Sequence, residues 1–196
     1  MKNYEDIKKL RKSMEKVLDP KRYEHSLGVE FTAACMAMKY GCDIENARIA
    51  GILHDCAKCI PDSEKILLCE KNGIEISAVE KKKPALLHAK AGAFLAKTQY
   101  GIKNEDIINA IMNHTTGRPD MSLLEKIIFL SDYIEPNRKT IPGLFKAREA
   151  CFNDINAAMA VVLKNVLEYL ESGKGQIDDK TRETFDFYKV YLPKED

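Results

Sequence analysis

The sequence predicts an all-α protein with a single domain. Apolar residues recur at intervals of three and four in nearly every segment, which is the period of an amphipathic helix. Capping residues, prolines and glycines separate these segments, and no segment shows the alternating pattern of a strand. With 196 residues the chain is long enough for one sizeable core without disulfide bonds, so one domain over residues 1–196 is the simplest expectation.

Two helices are expected in the first forty residues. In the first, an apolar repeat starts at Ile7, and the helix should end before Pro20. Asp19 can cap a second helix in which Pro20 takes the first position, and Gly41 follows the last turn. His25 would then lie in the second turn of this second helix.

The next two helices are defined by a cap and by two stop signals. Asp43 can cap the third helix, which we expect to carry His54 and to end at Pro61. A short helix should follow over about 63–72, where an Asn-Gly pair stops it.

Capping residues also mark the helices in the middle of the chain. Residues 77–80 form a capping box, and a helix carrying His88 is expected over 84–101. Asn104 can cap the following helix, which should have His114 at its end.

The remaining segments predict a loop and four more helices. Gly and Pro make 115–119 a loop, and a second capping box at 122–125 starts an apolar helix that carries Asp132. Beyond Pro142 we expect a short helix and then a longer one over 154–173. The last helix is amphipathic and carries three aromatic residues, Phe185, Tyr188 and Tyr191.

Composition and charge exclude several classes of partner. The net charge is only +1, from 31 basic and 30 acidic residues, so nothing attracts nucleic acid or an anionic membrane to the whole surface. The first 19 residues are charged throughout and lack the apolar core of a signal peptide. The longest apolar run, 157–163, is too short to span a bilayer. We therefore expect a cytoplasmic enzyme or binding protein with no nucleic-acid or membrane partner.

Six cysteines could form three bridges in a secreted protein, but nothing points to secretion, so reduced thiols are expected. Cys56 and Cys59 form a CxxC pattern that could serve redox chemistry or zinc binding. The pattern has no second pair for zinc and no βαβ context, which favours small core residues instead.

A histidine and an aspartate stand together at the end of the apolar segment 51–58. Burying two polar groups costs a few kcal/mol each unless something pairs with them, and a metal ion would be such a partner. Any single histidine is more often a hydrogen-bonded core residue, but a metal centre would account for all four histidines at once. The candidate metal ligands are His25, His54, Asp55, His88, His114 and Asp132.

These donor types suit iron, manganese, cobalt or zinc. Six protein ligands are too many for one catalytic ion, yet suit two ions that share a carboxylate, for which Asp55 is the natural bridge. Two divalent ions with two aspartates leave the site at about +2, which favours a phosphate-rich substrate and acidifies a bound water.

Three basic residues could bring positive charge to the same site. Lys58 follows His54 by four residues, and would face the ligands if the helix continues that far. Arg118 and Arg22 lie within four residues of His114 and His25, where guanidinium groups could bind phosphate in a bidentate manner. The alternative for each is an ordinary surface residue.

The order of these motifs resembles the HD superfamily of metal-dependent phosphohydrolases. More narrowly, it is similar to the YqeK-type subgroup, over roughly residues 20–192. The carboxyl-terminal part, 181–192, matches only loosely. The motifs that carry the resemblance are RYEHSLGV from Arg22, HDCAK from His54, the helix of His88, HTTGRPDMS from His114 and KIIFLSDYIEPNR from Lys126.

The resemblance implies a compact HD-domain helical bundle that cleaves diadenosine tetraphosphate symmetrically into two ADP by a metal-activated hydroxide. It implies two metal ions, with iron as the first choice and manganese or cobalt as alternatives. One ion would be held by His25, His54, Asp55 and Asp132, and the other by Asp55, His88 and His114. Catalytic roles would fall to Asp55 and Lys58, and substrate contacts to Arg22, Lys58, Thr115, Arg118 and Arg138.

Other functions stay open at this point. A guanosine tetraphosphate hydrolase should show an acidic pair after the HD pair, where this chain has Lys58-Cys59, and an HD-GYP phosphodiesterase should show a Gly-Tyr-Pro signature. The alternatives that fit are another HD nucleotide phosphohydrolase and a non-catalytic nucleotide-binding regulatory protein. The expected partner is a dinucleoside polyphosphate or nucleotide, and a homodimer is one option.

Overall fold

A computed structural model describes residues 4–173 and 177–192. This part of the chain contains eleven α-helices, two 3-10 turns and no strand, which confirms the all-α prediction. The 3-10 turns are Pro84–Leu87 and Lys189–Tyr191. The α-helices are α1 (Tyr4–Val17), α2 (Pro20–Tyr40), α3 (Ile44–Leu53), α4 (Asp62–Lys71), α5 (Ala78–Lys82), α6 (His88–Thr98), α7 (Glu105–Asn113), α8 (Leu123–Ile134), α9 (Leu144–Cys151), α10 (Ile155–Ser172) and α11 (Asp179–Tyr188).

Four helices, α2, α3, α7 and α8, form the centre of the fold. Helix α2 packs against α3 and α8, and α7 packs against α3, α6 and α8. Helix α10 joins α8 to α9 and α11 on the other side. Fully buried residues such as Met36, Ile52, Ile111 and Ile128 come from each of the four central helices. No helix within 4–173 or 177–192 is both long and apolar enough to cross a bilayer.

The predicted caps are present. The carboxylates of Asp19 and Asp43 accept backbone N–H groups three residues ahead, at 2.9 and 2.7 Å. Ser77 and Ser122 form complete capping boxes at the starts of α5 and α8. Gly41 ends α2 with a positive φ of 72°, a conformation that glycine adopts without a steric penalty.

The third helix is shorter than the sequence predicts. It ends at Leu53 rather than at Pro61, and turns follow it. The backbone N–H groups of Cys56 and Lys58 bond to carbonyls three residues earlier, at 3.0 and 2.8 Å, in place of the four-residue spacing of an α-helix. The side chain of His54 lies 2.7 Å from the carbonyl of Gly51 in the last helical turn, as described below.

Two other helices also differ from the predicted boundaries. The segment expected as one helix over 84–101 starts with a 3-10 turn, and α6 begins only at His88 and ends at Thr98. Gly101 lies beyond the helix with a φ of 67°. The last aromatic segment is helical to Tyr188 and continues as a 3-10 turn that includes Tyr191.

A buried carboxylate joins the first three helices. Glu30 of α2 is fully buried, and Arg11 of α1 binds it with two hydrogen bonds of 2.7 and 2.8 Å. Arg48 of α3 lies 2.8 Å from the same carboxylate. Two guanidinium groups thus balance the buried charge and fix the three helices relative to one another.

Gly51 allows the close crossing of α2 and α3. An alanine Cβ at this position would lie 2.8 Å from the Cα of Glu30, so the two backbones would have to move apart. Gly51→Ala should therefore lower the free energy of unfolding by about 1–3 kcal/mol, the usual cost of overpacking a core. A thermal melt should register a fall of roughly 2–4 °C for each kcal/mol in a chain of this size.

Gly92 of α6 is a matched control, because it is also a helical glycine inside the protein. An alanine Cβ there would meet its nearest neighbours at 3.5 Å, an ordinary contact. Gly92→Ala should leave the melting temperature unchanged or raise it, since alanine favours a helix by about 0.5–1 kcal/mol over glycine. Equal melting temperatures for the two variants would contradict the close-crossing interpretation.

Candidate metal centre

The six predicted ligands lie together at the centre of the fold. Each comes from a different point of the helical framework, and all but Asp132 are buried. They are His25 in α2, His54 at the carboxyl end of α3, Asp55 in the turn that follows, His88 at the start of α6, His114 at the carboxyl end of α7 and Asp132 in α8.

Three of the histidines share one local arrangement. In His54, His88 and His114 the ring atom Nδ1 lies 2.7, 2.6 and 2.7 Å from the carbonyl oxygen three residues earlier. Each carbonyl lies in the last turn of a helix or 3-10 turn, where carbonyls commonly lack a helical partner, although that of Ala85 also accepts the backbone N–H of His88. A carbonyl only accepts, so Nδ1 carries the proton and Nε2 presents its lone pair to the site.

The lone pairs of His88 and His114 face one another. Their Nε2 atoms are 3.1 Å apart, and with both Nδ1 protons committed to carbonyls, two lone pairs meet at this distance. Burial lowers the pKa of His88 to about 4, so its imidazole is neutral near pH 7. Two facing lone pairs repel unless a cation or a proton lies between them, and this arrangement is therefore suited to a metal ion.

His25 is oriented by a carboxylate instead of a carbonyl. Its Nδ1 lies 3.1 Å from Oε1 of Glu135, a buried residue at the end of α8, and its Nε2 lies 3.0 Å from Oδ1 of Asp132. Burial lowers the pKa of His25, but the two carboxylates outweigh it and raise the pKa overall. Glu135 was not among the predicted site residues, although it lies in the motif that also supplies Asp132.

Asp55 lies between the histidines. Its Oδ2 is 3.4 Å from Nε2 of His54, and its Oδ1 is 3.2 and 3.6 Å from Nε2 of His88 and His114. Burial acts to raise the pKa of Asp55, but the surrounding imidazoles hold it well below its usual range. Burial also acts to raise the pKa of Asp132, but His25 at 3.0 Å and the nearby histidines outweigh it and lower the pKa. Both aspartates are therefore available as anions.

The donor atoms fit a metal centre. Buried atoms Nε2 of His25, Nε2 of His54 and Oδ1 of Asp55 have no hydrogen-bond partner, which is rare for buried polar groups. Within the described residues, donors lie within 4.8 Å of one another in three overlapping sets, two of which share Asp55. The carboxyl ends of α3 and α7, which carry partial negative charge, also meet here. The sets are His25-His54-Asp55, His54-His114-Asp132 and Asp55-His88-His114.

Four of the five residues expected to contact substrate surround this cluster. The Nζ atom of Lys58 is 3.1 Å from Nε2 of His88 and 3.7 Å from Oδ1 of Asp55, although the residue lies in a turn and not on the helix. Arg22 donates a 2.8 Å hydrogen bond to Oδ2 of Asp55. The remaining two approach other ligands: Thr115 Oγ1 is 3.2 Å from His114 Nε2, and Arg138 is 3.9 Å from Asp132 Oδ1.

Comparison with known proteins agrees with this geometry, since a profile of the HD domain matches residues 22–137. The chain belongs to the HD domain family. The symmetrical bis(5'-nucleosyl)-tetraphosphatase of Halalkalibacterium halodurans is 45% identical over 150 residues, which are 76% of this chain and 79% of that protein. The Bacillus subtilis protein of the same name is 40% identical over 149 residues, with the same shares.

A solved structure shows the same fold. The Clostridium acetobutylicum protein, described as a predicted HD superfamily hydrolase involved in NAD metabolism, superposes with a TM-score of 0.90 and 41% sequence identity. The match covers 97% of this chain and 98% of that one. The compact HD-type helical bundle therefore extends well beyond the residues matched by the HD domain profile.

Arg118, the fifth residue expected to contact substrate, is placed differently in this HD protein. It binds the buried carboxylate of Glu125 through Nε at 2.8 Å and NH2 at 2.6 Å, and its NH1 donates to two backbone carbonyls. Glu125 also accepts from the side chain of Asn113 at 2.8 Å and closes the capping box of α8. Arg118 therefore links the loop after His114 to the start of α8.

Helix α11 supports the same loop from outside the HD domain match. The hydroxyl oxygen of Thr184 lies 3.2 Å from the carbonyl of Thr116, and the backbone N–H of Met121 donates to the hydroxyl of Tyr188 at 3.0 Å. Gly117 has a φ of 67°, and a Cβ on it would collide with Thr184 at 2.7 Å. The carboxyl-terminal aromatic helix thus helps to position the loop that carries Thr115.

The two cysteines of the CxxC pattern belong to none of the donor sets that the described residues form. Cys56 and Cys59 are both free thiols, and Cys56 is buried, with burial raising its pKa to about 12. Cys59 is exposed and donates to Asp19 at 3.4 Å, which corrects the expectation that both residues belong to the core. A thiol with so high a pKa is a weak nucleophile near neutral pH.

Loss of the Arg118 side chain should destabilise the fold. Arg118→Ala removes two charge-assisted hydrogen bonds from buried Glu125, and the free energy of unfolding should fall by about 1–3 kcal/mol. Arg118→Lys should restore little of it, because an ammonium cannot reproduce the bidentate geometry. Chemical denaturation monitored by circular dichroism measures both effects.

The control is Arg182→Ala, which breaks the exposed pair of Arg182 and Glu171 at 3.1 Å. Exposed pairs contribute about 0–1 kcal/mol, so this variant should stay close to the parent. An unchanged stability for Arg118→Ala, together with a tenfold or larger loss of kcat/KM, would instead return Arg118 to the substrate, as the sequence suggested.

Proposed function

We propose that this HD protein hydrolyses dinucleoside tetraphosphates and cuts diadenosine tetraphosphate symmetrically into two ADP. The observation that carries the proposal is the pair of buried donor sets that share Asp55. Two relatives at 40–45% identity are named symmetrical bis(5'-nucleosyl)-tetraphosphatases, and the match covers 79% of each of them. The protein would then be an enzyme that acts in the cytoplasm. The cytoplasmic location and a homodimer stay predictions.

The proposal assigns two metal ions to the centre, with iron as the first choice and manganese or cobalt as substitutes. His25, His54, Asp55 and Asp132 would hold one ion, and Asp55, His88 and His114 the other. Divalent ions there would supply Lewis acidity toward a phosphoryl group and toward water. The preoriented imidazoles, of which His88 is neutral near pH 7, and the two carboxylates with lowered pKa match the nitrogen and oxygen donors that these metals accept.

The positive side chains around the centre would bind the phosphate chain. Arg22 and Arg138 lie beside Asp55 and Asp132, and their planar guanidinium groups suit bidentate contacts with phosphate oxygens. Lys58 lies beside Asp55 and His88, where its ammonium can offset charge on the phosphoryl group under attack. Thr115 adds a hydroxyl donor next to His88 and His114.

In the proposed reaction, the oxygen of water forms a bond with the β-phosphorus of one ADP half. The bond from that phosphorus to the bridging oxygen breaks, and the other ADP leaves with the bridging oxygen as a phosphate oxygen. Because a phosphate is a stable leaving group, protonation by a general acid matters little. Lys58 and Arg22 lie on either side of Asp55, where their positive charges can offset the negative charge of the phosphate groups without donating a proton.

Removing one ligand of the second set should remove one ion. His88→Ala and His114→Ala should each lower the metal content from two ions to about one per chain and abolish most activity, while the circular dichroism spectrum stays that of the parent. Elemental analysis by plasma mass spectrometry measures the change. Met112→Ala, an exposed neighbour in α7, is the control and should retain both ions. Equal metal content in all four proteins would reject the assignment.

The products test which bond breaks. Diadenosine tetraphosphate should yield ADP alone, and a single turnover in oxygen-18 water should label one of the two ADP molecules, on its terminal phosphate. Mass spectrometry separates the labelled and unlabelled products. ATP plus AMP would reject symmetrical cleavage and leave another HD nucleotide phosphohydrolase. Absence of turnover with iron, manganese and cobalt under reducing conditions would favour a nucleotide-binding regulatory protein.

A further inference from the structure

Glu135 directly follows the last residue of α8 and places a buried carboxylate next to His25. Burying a charge is costly unless several groups pair with it, so this carboxylate needs an explanation. We propose that Glu135 is a positioning residue, which sets the affinity of the ion held by His25 by fixing which ring nitrogen of His25 carries the proton. The inference rests on the two ions of the proposed function, but its test measures metal binding and not turnover.

Each oxygen of the Glu135 carboxylate has its own partner. Oε1 lies 3.1 Å from Nδ1 of His25, and Oε2 accepts the backbone N–H of Asn137 at 2.7 Å. The backbone N–H can only donate, so it keeps the carboxylate in this orientation. An ionised carboxylate only accepts, so in the neutral imidazole of His25 the proton is on Nδ1 and Nε2 keeps its lone pair.

The Nε2 atom of His25 faces the two aspartates of the centre. It is buried, makes no hydrogen bond of normal geometry, and lies 3.0 Å from Oδ1 of Asp132 and 4.0 Å from Oδ2 of Asp55. These are the carboxylates proposed to share an ion with His25. A carboxylate that accepts the other ring N–H makes an imidazole a better metal ligand, and loss of such a partner typically weakens metal binding about 10–100-fold.

The other three histidines have a different kind of support. In His54, His88 and His114 the atom Nδ1 faces a neutral backbone carbonyl and not a carboxylate. Hydrogen bonds to a charged acceptor are the stronger kind. Removing the charge of Glu135 should therefore weaken the ion of His25 and spare the ion assigned to His88 and His114.

Gly28 of α2 makes room for the carboxylate. It lies three residues after His25, on the same side of the helix. A Cβ at Gly28 would collide with Oε2 of Glu135 and would lie 3.2 Å from its Cδ. A side chain at position 28 would therefore push the carboxylate away from its place beside the His25 ring.

Arg148 of α9 fixes the backbone of Glu135. Its Nε donates to the carbonyl of Ile134 and its NH2 to the carbonyl of Glu135, both at 2.9 Å. These carbonyls lie at the end of α8, where helix carbonyls commonly lack a helical partner. Arg148 lies beyond the HD domain match, which ends at residue 137, so a helix outside that match helps to place a residue at the metal centre.

The test is the binding of manganese to the metal-free full chain, with the unbound ion measured by electron paramagnetic resonance. The parent should bind two ions per chain. Glu135→Gln should raise the Kd of one ion about 10–100-fold and leave that of the other within about twofold. The reason is that a glutamine amide has one acceptor oxygen for two donors, so either His25 or the N–H of Asn137 loses its acceptor.

A double variant shows whether Glu135 acts through His25. His25→Ala alone should weaken the same ion, and adding Glu135→Gln to it should change manganese binding by less than about twofold. A further loss in the double variant, as large as that in Glu135→Gln alone, would mean that Glu135 acts without His25 and would overturn the inference.

Gly28→Ala moves the carboxylate without removing it, and should weaken the same ion by about tenfold. Gly92→Ala is the matched control, because a Cβ there meets its nearest neighbours at 3.5 Å, and it should bind both ions as the parent does. Manganese binding in Gly28→Ala equal to that of the parent would mean that the position of the carboxylate is unimportant, which would contradict the inference.

Glu30→Gln is the control for loss of a buried carboxylate. Glu30 lies in α2, as His25 does, but it binds Arg11 and Arg48. This variant should melt at a lower temperature than the parent and still bind both ions. Loss of one ion in Glu30→Gln would trace the effect to general destabilisation of α2 and would reject the role of Glu135.

Two further outcomes separate this role from the reaction. If the parent cleaves diadenosine tetraphosphate and Glu135→Gln binds both ions as the parent does, the inference fails and the proposed function stands. If the parent binds two ions but cleaves no dinucleotide, and Glu135→Gln loses one ion, the proposed function fails and the inference stands.

Discussion

Three hydrogen bonds between histidine rings and backbone carbonyls determine what the centre of this protein can do. By accepting the Nδ1 proton of His54, His88 and His114, the carbonyls turn every Nε2 lone pair toward Asp55. The rings then cannot satisfy one another, because lone pairs face lone pairs. The packing of α3 against α7 holds the rings in place, and a bound cation would stabilise the resulting cluster of lone pairs.

Helix caps could be predicted from the sequence, whereas the contacts of other single side chains could not. Caps such as Asp19 and Ser122 depend on residues three positions ahead, and each was predicted. The end of α3 was not predicted. The helix ends at Leu53, where the ring of His54 contacts a carbonyl of the last turn. Arg118 was expected at the substrate because of its spacing from a metal ligand. In the fold it binds the buried carboxylate of Glu125, and its contact with phosphate stays a prediction.

The gathering of the six candidate ligands could be predicted although no contact between them could. Each polar residue lies in or at the end of an otherwise apolar segment, and a shared site accounts for several such residues being buried together. The partners that orient the ligands could not be foreseen in the same way. Glu135 is one acidic residue among thirty in the sequence, and its burial beside His25 depends on how α2 meets the end of α8.

The two kinds of support differ in how they withstand mutation. A backbone carbonyl is present whatever amino acid occupies positions 85 and 111, so His88 and His114 keep their orientation through most single-codon changes at the positions that hold them. His25 has no backbone partner of this kind, since only the side chain of Glu135 contacts its Nδ1 atom. Mutations would therefore disturb the centre first at His25 in α2. His88 and His114 are less sensitive to mutation, because backbone carbonyls orient their rings.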